Sequence, residues 1–355
     1  MIQFASRQIG DGSPCFVTFE AGPTHDGLET AKRLVSLAAE AGADAVKFQM
    51  LDPDYLVADK TLPFTYSILK DRGTGELEEV TESLYDILCR RVLMKDEWKT
   101  LKVHCDKLGM PFFATALKEE EIDFLAELGC DSVKIASGDV NHFPLIRRAA
   151  QTGMCIQLDT GSATLGEVEE AVDVIRSEGN ENIIIHHCPS GYPARLEGIN
   201  LNVIKTLKAM FNYPIAFSDH TPGAEMDIAA VSLGANMVEK TITLDRTTRS
   251  VEHAFSLEPR DMSMFIQTIR DLETALGAER RILHDEEREK RKAVRRSAYL
   301  AADAKAGTTL ADLEIEFRRP GYGIEPKGMG SFVGASIARD LPAGHCLSPS
   351  DFSWN

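Results

Sequence analysis

The sequence predicts an α/β fold in which a (β/α)8 TIM barrel is followed by a small β-rich domain. Eight short, apolar, β-like segments alternate with helical patterns between residues 16 and 243. Short continuous apolar strands are typical of a sheet buried on both faces, and eight β/α units in succession favour a closed barrel. From residue 295 onwards the pattern changes to short β-like pieces and Gly/Pro turns, which indicates a separate domain.

The first predicted strand, "FVTFEAG" (16–22), is followed by a helical stretch, "LETAKRLVSLAAEAG". A doubly wound sheet is the alternative fold. It would need a Gly-rich phosphate-binding turn after this strand, and "EAGPTHDG" does not match the GxGxxG pattern. The remaining predicted strands are residues 45–50, 111–117, 132–138, 155–161, 182–188, 215–220 and 236–243.

The chain length fits a barrel with one small addition. The chain has 355 residues, of which a barrel takes about 250. Residues 257–294 have the pattern of a long charged helix, which ends in "HDEEREKRKAVRR" and indicates a solvated helix face or linker. We therefore predict a barrel domain at 1–280, a linker helix at 281–295 and the small domain at 296–355.

Composition and charge disfavour several classes of function. The net charge of −16 argues against nucleic acid and anionic membranes, because both are bound through Lys and Arg. No apolar run approaches the roughly 20 residues that span a bilayer, and "MIQFASRQIGDG" has no secretory-signal pattern. Seven cysteines without a CxxC pair favour reduced thiols, so we expect a cytoplasmic protein. A small anionic substrate is still allowed, because a cleft can concentrate a few cations.

Polar side chains close the predicted strands. In a barrel, the C-terminal strand ends and the loops after them form the active site, so "FSDHTPG" (217–223) indicates a metal or phosphate site. Lys47 and Lys134 lie inside apolar runs, where an unpaired ammonium is costly to bury and a bound anion would offset that cost. The polar residues at strand ends are Glu20, Lys47, Gln49, Thr115, Lys134, Ser137, Asp159, Thr160, His186, His187, Ser218, Asp219, His220, Glu239, Lys240 and Thr241.

Several segments together resemble one enzyme family. "EAGPTHDGLETAKRLVSLAAEAGADAVKFQ", "KIASGD", "PSGYPA", "FSDHTPG", "VEKTITLDR" and "EHAFSLEP" occur in the order seen in the N-acetylneuraminate (sialic acid, nonulosonate) synthase family. The tail, with "RRSAYLAADAKAG" and "RRPGYGI", resembles the antifreeze-like SAF domain of that family, a β-clip fold. The resemblance covers the chain from about residue 15 to its C-terminus.

The resemblance implies a transferase that forms a carbon–carbon bond. That family condenses phosphoenolpyruvate with an N-acyl hexosamine aldehyde and yields a nine-carbon 3-deoxy-2-keto acid and phosphate. The candidate sugar substrates are N-acetylmannosamine, its 6-phosphate and the diacetamido-trideoxyhexoses, and the sequence does not choose among them. We expect C3 of phosphoenolpyruvate to attack the aldehyde, water to capture C2, and phosphate to leave by C–O cleavage, with Lys47 and Lys134 stabilising the departing phosphate.

A site for phosphoenolpyruvate needs fixed cations and hydroxyl or backbone donors. The resemblance assigns this role to Lys47, Lys134, Thr115, Ser137 and Ser218. The hypothesis requires the two ammonium groups to converge on one vacant position rather than on internal partners.

Three acidic residues near this set complete the predicted phosphoenolpyruvate site. Asp159 departs from the family, which usually has a serine there, and a carboxylate beside an anion is unfavourable unless it pairs with a lysine. Asp139 and Glu239 are further candidates for substrate binding.

The resemblance also implies a divalent metal, Mn2+ or Mg2+, that polarises the aldehyde. The family holds it with the histidine of the SDHT motif, here His220, and with the histidine of "EKHFT". This chain has "EKTIT" instead, so Thr241 stands at the second position. We expect a weakened site held by His220, waters and nearby carboxylates, and a metal-free reaction is the alternative. Substitute ligands are Glu239, Glu252 or His253.

The rim of the predicted site is also assigned from the resemblance. Glu20 and Glu252 are candidates for general acid/base work, although "SVEH" replaces the family's "GPDH" around Glu252. Ser190 and Tyr192, in "PSGYPA", lie where that family contacts substrate. Two further residues, His25 and Asp26, are expected to line the same face.

The resemblance implies a domain-swapped homodimer with a shared active site. In that family an arginine of the SAF domain reaches the partner's barrel and touches the N-acyl group, and Arg319 in "RRPGYGI" matches it.

Because adjacent residues of a strand point to opposite faces, at most one of His186 and His187 faces the site.

Two rival functions stay open at this stage. A class I aldolase-like barrel enzyme would form a Schiff base, for which Lys134 is the candidate. A catalytically inactive carbohydrate-binding homologue is the other, and Thr241 is the residue that favours it.

Overall fold

The computed structural model describes residues 1–354 and divides the chain after Gly277 into two compact units. No helix within residues 1–354 is long and apolar enough to cross a membrane. The strands are β1 (Ile2–Phe4), β2 (Arg7–Ile9), β3 (Phe16–Glu20), β4 (Ala45–Gln49), β5 (Pro63–Asp71), β6 (Glu76–Ser83), β7 (Phe112–Thr115), β8 (Ser132–Ile135), β9 (Cys155–Asp159), β10 (Ile183–His187), β11 (Ile215–Asp219), β12 (Met237–Thr241), β13 (Ser297–Leu300), β14 (Ile315–Arg318), β15 (Ser336–Ile337) and β16 (Phe352–Ser353).

The first unit is a closed barrel of eight parallel strands, in the order β3, β4, β7, β8, β9, β10, β11, β12 and back to β3. The predicted (β/α)8 fold is therefore confirmed, and the doubly wound alternative is excluded. The α-helices of the chain are α1 (Leu28–Ala41), α2 (Pro53–Leu56), α3 (Leu84–Cys89), α4 (Lys95–Lys107), α5 (Glu119–Glu127), α6 (Phe143–Gln151), α7 (Leu165–Ser177), α8 (Leu196–Ile199), α9 (Val203–Met210), α10 (Glu225–Ser232), α11 (Pro259–Leu276) and α12 (Asp285–Val294).

Local sequence explains where the helices begin and end. The Thr164 hydroxyl accepts the Glu167 N–H at 3.3 Å, and the Glu167 carboxylate accepts the Thr164 N–H at 2.7 Å, a capping box that starts α7. Helix α1 stops where Gly42 takes a left-handed conformation, with φ of 87°, and donates its N–H back to Ala38 and Ala39.

Alternation along the barrel strands separates two buried faces. On β3, Val17 and Phe19 belong to the large core beneath the helices, whereas Phe16 belongs to a second cluster inside the barrel. The inner cluster also contains Phe113 of β7, and Phe4 packs against both rings at centroid distances of 5.1 and 5.5 Å. The antiparallel pair β1–β2 thus closes the N-terminal end of the barrel, an element that the sequence did not predict.

A second unpredicted element is the hairpin β5–β6, inserted after β4. Tyr66 and Val80 of the hairpin pack with Val251 from the loop after β12. Arg72, at the hairpin turn, donates to Asp245 at 2.7 Å and to Glu258 at 2.6 Å. The hairpin is therefore fixed to the C-terminal side of the barrel.

The predicted single helix over 257–294 is wrong. Two helices, α11 and α12, occupy this range, and α11 ends at Gly277, whose φ of 57° and ψ of −136° cannot continue a helix. The predicted linker helix at 281–295 corresponds to α12.

The second unit begins at Ala278 and is built from two small antiparallel pairs, β13–β14 and β15–β16. Its core contains Ala298, Leu300, Ile324, Phe332 and Leu347, all buried. This separate apolar core confirms the small β-rich domain predicted from the change of pattern.

Candidate active site

Lys47 of β4 and Lys134 of β8 converge on a single carboxylate, Glu239 of β12. Lys134 Nζ lies 2.7 and 2.8 Å from the two Glu239 oxygens, and Lys47 Nζ lies 3.1 Å from Oε1. All three side chains are buried. Burial acts to raise the pKa of Glu239, but the ammonium groups of Lys134 and Lys47 outweigh it and hold the pKa well below its usual range.

Two further carboxylates help to neutralise the charges of Lys47 and Lys134. Lys47 forms an ion pair with Glu20 of β3, and Lys134 Nζ lies 3.1 Å from Asp159 Oδ2. Burial opposes the charge on Lys47, but Glu20 and Glu239 raise its pKa well above the usual value. The expectation that a bound anion offsets the burial of these lysines is therefore wrong. Carboxylates of the chain itself do so, and the converging position is occupied by Glu239 rather than vacant.

Glu20 is a buried carboxylate of this cluster with a raised pKa. Burial raises its pKa to about 7, with Lys47 opposing and Glu239 reinforcing the shift. The N–H of Gly22 donates to Glu20 Oε1 at 2.5 Å. A Cβ on Gly22 would lie 2.5 Å from that oxygen and 2.7 Å from the Gln49 nitrogen, so only glycine fits.

Ser218 of β11 joins the cluster through several contacts. Its Oγ lies 3.0 Å from Lys134 Nζ, 3.2 Å from Asp159 Oδ1 and 2.9 Å from His186 Nδ1. His186 points into the barrel, whereas the Nε2 of His187 lies 2.6 Å from the Ile199 carbonyl oxygen on the outside. Strand alternation allows at most one of the two histidines to face the site, and His186 is the one that does.

The other predicted phosphoenolpyruvate residues lie at the same end of the barrel. Thr115 ends β7 and is buried. Ser137 begins a short 3-10 turn and accepts the Gly161 N–H at 3.1 Å. Asp139 ends that turn 3.6 Å from His142, and burial raises its pKa while His142 opposes the shift.

His220 directly follows β11, and Thr241 is the buried last residue of β12. The Nδ1 of His220 lies 3.2 Å from the Pro189 carbonyl oxygen, and its ring packs against the Tyr192 ring at a centroid distance of 4.8 Å and an interplanar angle of 47°. Thr241 Oγ1 donates to Glu252 Oε2 at 3.2 Å. Glu252 is buried and has a φ of 71°, a strained value for a residue with a side chain, which is common at functional sites.

Few side chains at this rim offer ligands for a divalent cation. Because His220 Nδ1 is directed at a carbonyl, its Nε2 is the nitrogen left for a metal, and the Glu252 carboxylate is the nearby anionic oxygen ligand. Within residues 1–354 no group of three or more His, Cys, Asp and Glu side chains is arranged to hold a metal ion. His220 and Glu252 alone would therefore leave most coordination positions of a cation to water or substrate.

A cavity of about 890 Å³ lies between the hairpin β5–β6 and the loop that carries Ser190 and Tyr192. Ser67 and Glu79 line it from the hairpin side. Ser190 Oγ lies 3.0 Å from Ser162 Oγ. The hairpin therefore supplies one wall of the region assigned to substrate.

The structure places several predicted residues away from the lysine cluster. Asp219 and Lys240 face outward, where Lys240 pairs with Asp219 and, at 3.2 Å, with Asp227. His253 Nδ1 lies 2.7 Å from Thr243 Oγ1. The Thr160 hydroxyl, at the end of β9, donates to the His186 carbonyl oxygen at 2.8 Å.

Three other predicted residues are not part of the lysine cluster. His25 Nδ1 accepts the Gly27 N–H at 3.3 Å, and the buried Nε2 has no hydrogen-bond partner within residues 1–354. Asp26 accepts the Thr30 hydroxyl. Arg319 is exposed in the second unit, directly after β14.

Sequence reasoning missed two polar residues inside the barrel, Ser132 of β8 and Gln157 of β9. Gln157 Nε2 donates to Ser132 Oγ at 3.0 Å, and its Oε1 lies 2.9 Å from His186 Nε2. Their positions, two residues before Lys134 and Asp159, put them on the inward faces of their strands. That spacing was the signal that could have found them.

Comparison with known proteins identifies the class. A model of the NeuB family matches residues 34–281, and a model of the SAF domain matches residues 295–353. The N,N'-diacetyllegionaminic acid synthase of Legionella pneumophila is 34% identical over 345 residues, covering 95% of this chain and 94% of that protein. The N-acetylneuraminate-9-phosphate synthase of Homo sapiens is 29% identical, covering 93% of this chain and 90% of that protein.

A solved structure agrees with these sequence relatives. The N-acetylneuraminic acid synthetase of Leptospira borgpetersenii matches with a TM-score of 0.70 and 29% identity, over 81% of this chain and 94% of that one. The fold and the relatives define a barrel enzyme of the sialic acid synthase type. The chain belongs to the NeuB family and carries a C-terminal SAF domain.

Proposed function

We propose that the protein is a nonulosonic acid synthase that condenses phosphoenolpyruvate with an N-acyl hexosamine aldehyde and releases phosphate by C–O cleavage. The observation that carries the proposal is the match of residues 34–281 to the NeuB family model, because Lys47 and Lys134 meet on the internal partner Glu239 and the vacant position expected between them is absent. Two fixed cations at one point suit a substrate with a phosphate and a carboxylate. The relatives named above are synthases of sialic-acid-type sugars, which supports the same function.

Phosphoenolpyruvate binds at the position that Glu239 now occupies between the two lysines. An anionic group of phosphoenolpyruvate replaces Glu239 as the ion-pair partner of at least one of the two lysines. Thr115 and Ser137 lie at the same strand ends. The exchange keeps the lysines paired throughout, so neither ammonium is left buried without an anion.

The reaction consumes phosphoenolpyruvate, the open-chain aldehyde and one water. C3 of phosphoenolpyruvate forms the new bond to the aldehyde carbon, and water adds to the electron-poor C2. Glu20 accepts the proton of that water, because a pKa of about 7 lets it act as a base near neutral pH. This proton then passes to the alkoxide that the aldehyde oxygen has become, which gives the new hydroxyl group. The C2–O bond to phosphate breaks as the C2 hydroxyl gives its proton to the departing phosphate, which leaves the 2-keto acid, and Lys47 and Lys134 stabilise that phosphate.

His220 Nε2 and the Glu252 carboxylate would hold a divalent cation, Mn2+ or Mg2+, at the rim. When bound, it supplies Lewis-acid polarisation of the aldehyde oxygen. Thr241 offers a weak hydroxyl ligand, and it already donates its proton to Glu252. We therefore propose a low metal affinity for this protein.

We also propose a domain-swapped homodimer in which Arg319 completes the active site of the partner subunit. Arg319 is exposed and available for such a contact. Mixing an Arg319→Ala chain with a Lys134→Ala chain tests this, because half of the sites in a mixed dimer would hold neither defect. Recovery of activity on mixing supports the shared site, and no recovery from a dimer of proven mixed composition refutes it.

The function is tested by phosphate release from phosphoenolpyruvate with a panel of aldehydes, followed by mass spectrometry of the product. The panel contains N-acetylmannosamine, its 6-phosphate and diacetamido-trideoxyhexoses, each with Mn2+, Mg2+ or chelator. Phosphate release with one N-acyl hexosamine, and a nine-carbon keto acid as product, supports the proposal. No turnover with any combination refutes it. Borohydride trapping with pyruvate is the control for a Schiff-base aldolase, in which a Lys134 adduct would form.

A further inference from the structure

A line of hydrogen bonds runs up the inside of the barrel and ends at the lysine cluster. Ser132 Oγ donates to the Cys155 carbonyl oxygen at 2.8 Å, and Gln157 Nε2 donates to Ser132 Oγ at 3.0 Å. His186 follows, with Nε2 at 2.9 Å from Gln157 Oε1 and Nδ1 at 2.9 Å from Ser218 Oγ. Every side chain in this line is buried.

The donor and acceptor of each hydrogen bond follow from the first bond of the line, in which Ser132 donates to the Cys155 carbonyl oxygen. Ser132 has one hydroxyl proton, and the Cys155 carbonyl takes it. Ser132 can therefore only accept from Gln157, so the Gln157 amide nitrogen faces Ser132 and its oxygen faces His186. An amide oxygen only accepts, so His186 must carry a proton on Nε2.

The upper nitrogen of His186 is consequently an acceptor. Burial, reinforced by the ammonium of Lys134, holds the pKa of His186 well below its usual range, so the ring is neutral and Nδ1 has a free lone pair. The Ser218 hydroxyl donates to that lone pair. Its oxygen then accepts from Lys134 at 3.0 Å, and its single proton is not available to Asp159.

We propose that His186 is a positioning residue for the condensation of phosphoenolpyruvate. By accepting the Ser218 hydroxyl proton on Nδ1, His186 orients the Ser218 hydroxyl so that its oxygen accepts a hydrogen bond from Lys134. Ser218 thus acts on the substrate by orienting Lys134, and it does not donate a hydrogen bond to the substrate anion. This inference rests on the function proposed above, because that function places Lys134 in the phosphoenolpyruvate site.

Two substitutions of His186 separate its two contacts. In His186→Asn the amide oxygen lies near the place of Nδ1 and still accepts from Ser218, whereas in His186→Gln the amide reaches the place of Nε2 and leaves Ser218 without its acceptor. We expect His186→Asn to keep the KM for phosphoenolpyruvate within about twofold. We expect His186→Gln to raise it about tenfold, the change that loss of one hydrogen bond produces, with kcat changed less than KM.

The hydrogen-bond directions are tested without turnover by long-range 1H–15N spectra of the full-length protein labelled at histidine. The His186 signal is assigned by its absence from His186→Asn. A protonated Nε2 with an unprotonated Nδ1 at neutral pH supports the inference, and a protonated Nδ1 overturns it. Gln157→Met is a second variant in the same experiment. Removal of the fixed acceptor should allow the Nδ1–H tautomer to appear, and an unchanged spectrum would overturn the role of Gln157.

The outcomes distinguish this inference from the proposed function. Turnover with equal KM values for His186→Asn and His186→Gln overturns the positioning role but leaves the synthase intact. The expected tautomer with no turnover on any aldehyde supports the hydrogen-bond directions but refutes the function. Thermal unfolding of both variants identifies a folding defect, in which case Gln157→Met provides the KM test.

Discussion

The Nζ of Lys134 lies 2.7 and 2.8 Å from the two carboxylate oxygens of Glu239, so the lysine proposed to bind substrate is already held by an anion of the chain itself. Lys47 contacts the same carboxylate from the other side at 3.1 Å. The site therefore contains a built-in counter-ion that the substrate must displace.

Glu239→Gln should lower the free energy of unfolding by about 3–5 kcal/mol, because it leaves two buried ammonium groups short of one negative charge. Inorganic phosphate should restore part of this loss, since a ligand that binds only the folded state stabilises it. Thermal unfolding with and without phosphate measures both effects. Glu121→Gln, a buried carboxylate outside the cluster, is the control and should respond to phosphate like the unmodified protein. Equal phosphate responses in all three proteins would contradict the prediction.

Glu20 should determine the pH dependence of turnover. Its pKa is raised from 4.5 to about 7, so kcat/KM should rise with pH up to about 7 as the carboxylate loses its proton. The free energy of unfolding should change with pH in the opposite direction and fall as the pH rises. The raised pKa contributes stability below about pH 4.5, and this contribution is lost as the pH rises through about 7. Glu20→Gln should abolish both trends, and a pH–rate profile unchanged by that substitution would rule out Glu20 as the base.

Thr241→His should tighten the metal site, because an imidazole is a far better ligand than a hydroxyl. We expect the Mn2+ concentration for half-maximal activity to fall at least about tenfold, equivalent to about 1.4 kcal/mol. Thr241→Val is the control, since it removes the hydrogen bond to Glu252 without adding a ligand. A metal titration unchanged in Thr241→His would place the cation elsewhere.

The buried group of Lys240, Asp219 and Asp227 should respond unequally to substitution. Burial raises the pKa of Asp227 well above its usual value, Lys240 opposes the shift and Asp219 reinforces it, so replacement of Asp227 by a neutral amide should disturb the group little. Asp227→Asn should therefore cost less than about 1 kcal/mol of stability. Lys240→Met should cost about 3–5 kcal/mol, because it leaves the Asp219 carboxylate buried without a cation. Chemical denaturation measures both, and equal losses would contradict the assignment.

Much of the barrel could be predicted because its signals are local. Apolar strands such as β9 and β11 alternate with capped helices such as α7, and each predicted barrel strand overlaps the observed one. The hairpin β5–β6 was missed because Glu76–Ser83 alternates only weakly and is mostly exposed. The break at Gly277 was missed because charged residues on both sides fit a helical pattern.

Sequence patterns located several polar residues of the candidate site at one end of the barrel, but they did not predict how those residues pair. Lys47, Lys134 and Ser218 could be located because strand ends meet at one edge of a barrel. That Glu239 bridges both lysines depends on the register of β12 against β3, in which Glu239 lies opposite Thr18. No local pattern encodes such a register, and the same holds for the contact between His186 and Gln157.

The most direct test of the central claim is a crystal structure of the protein with phosphoenolpyruvate and an unreactive analogue of the aldehyde. The account predicts an anionic group of phosphoenolpyruvate within hydrogen-bonding distance of both Lys47 Nζ and Lys134 Nζ, with Glu239 moved from at least one of them. Glu239 still bridging both lysines, with phosphoenolpyruvate bound at another place, would contradict it.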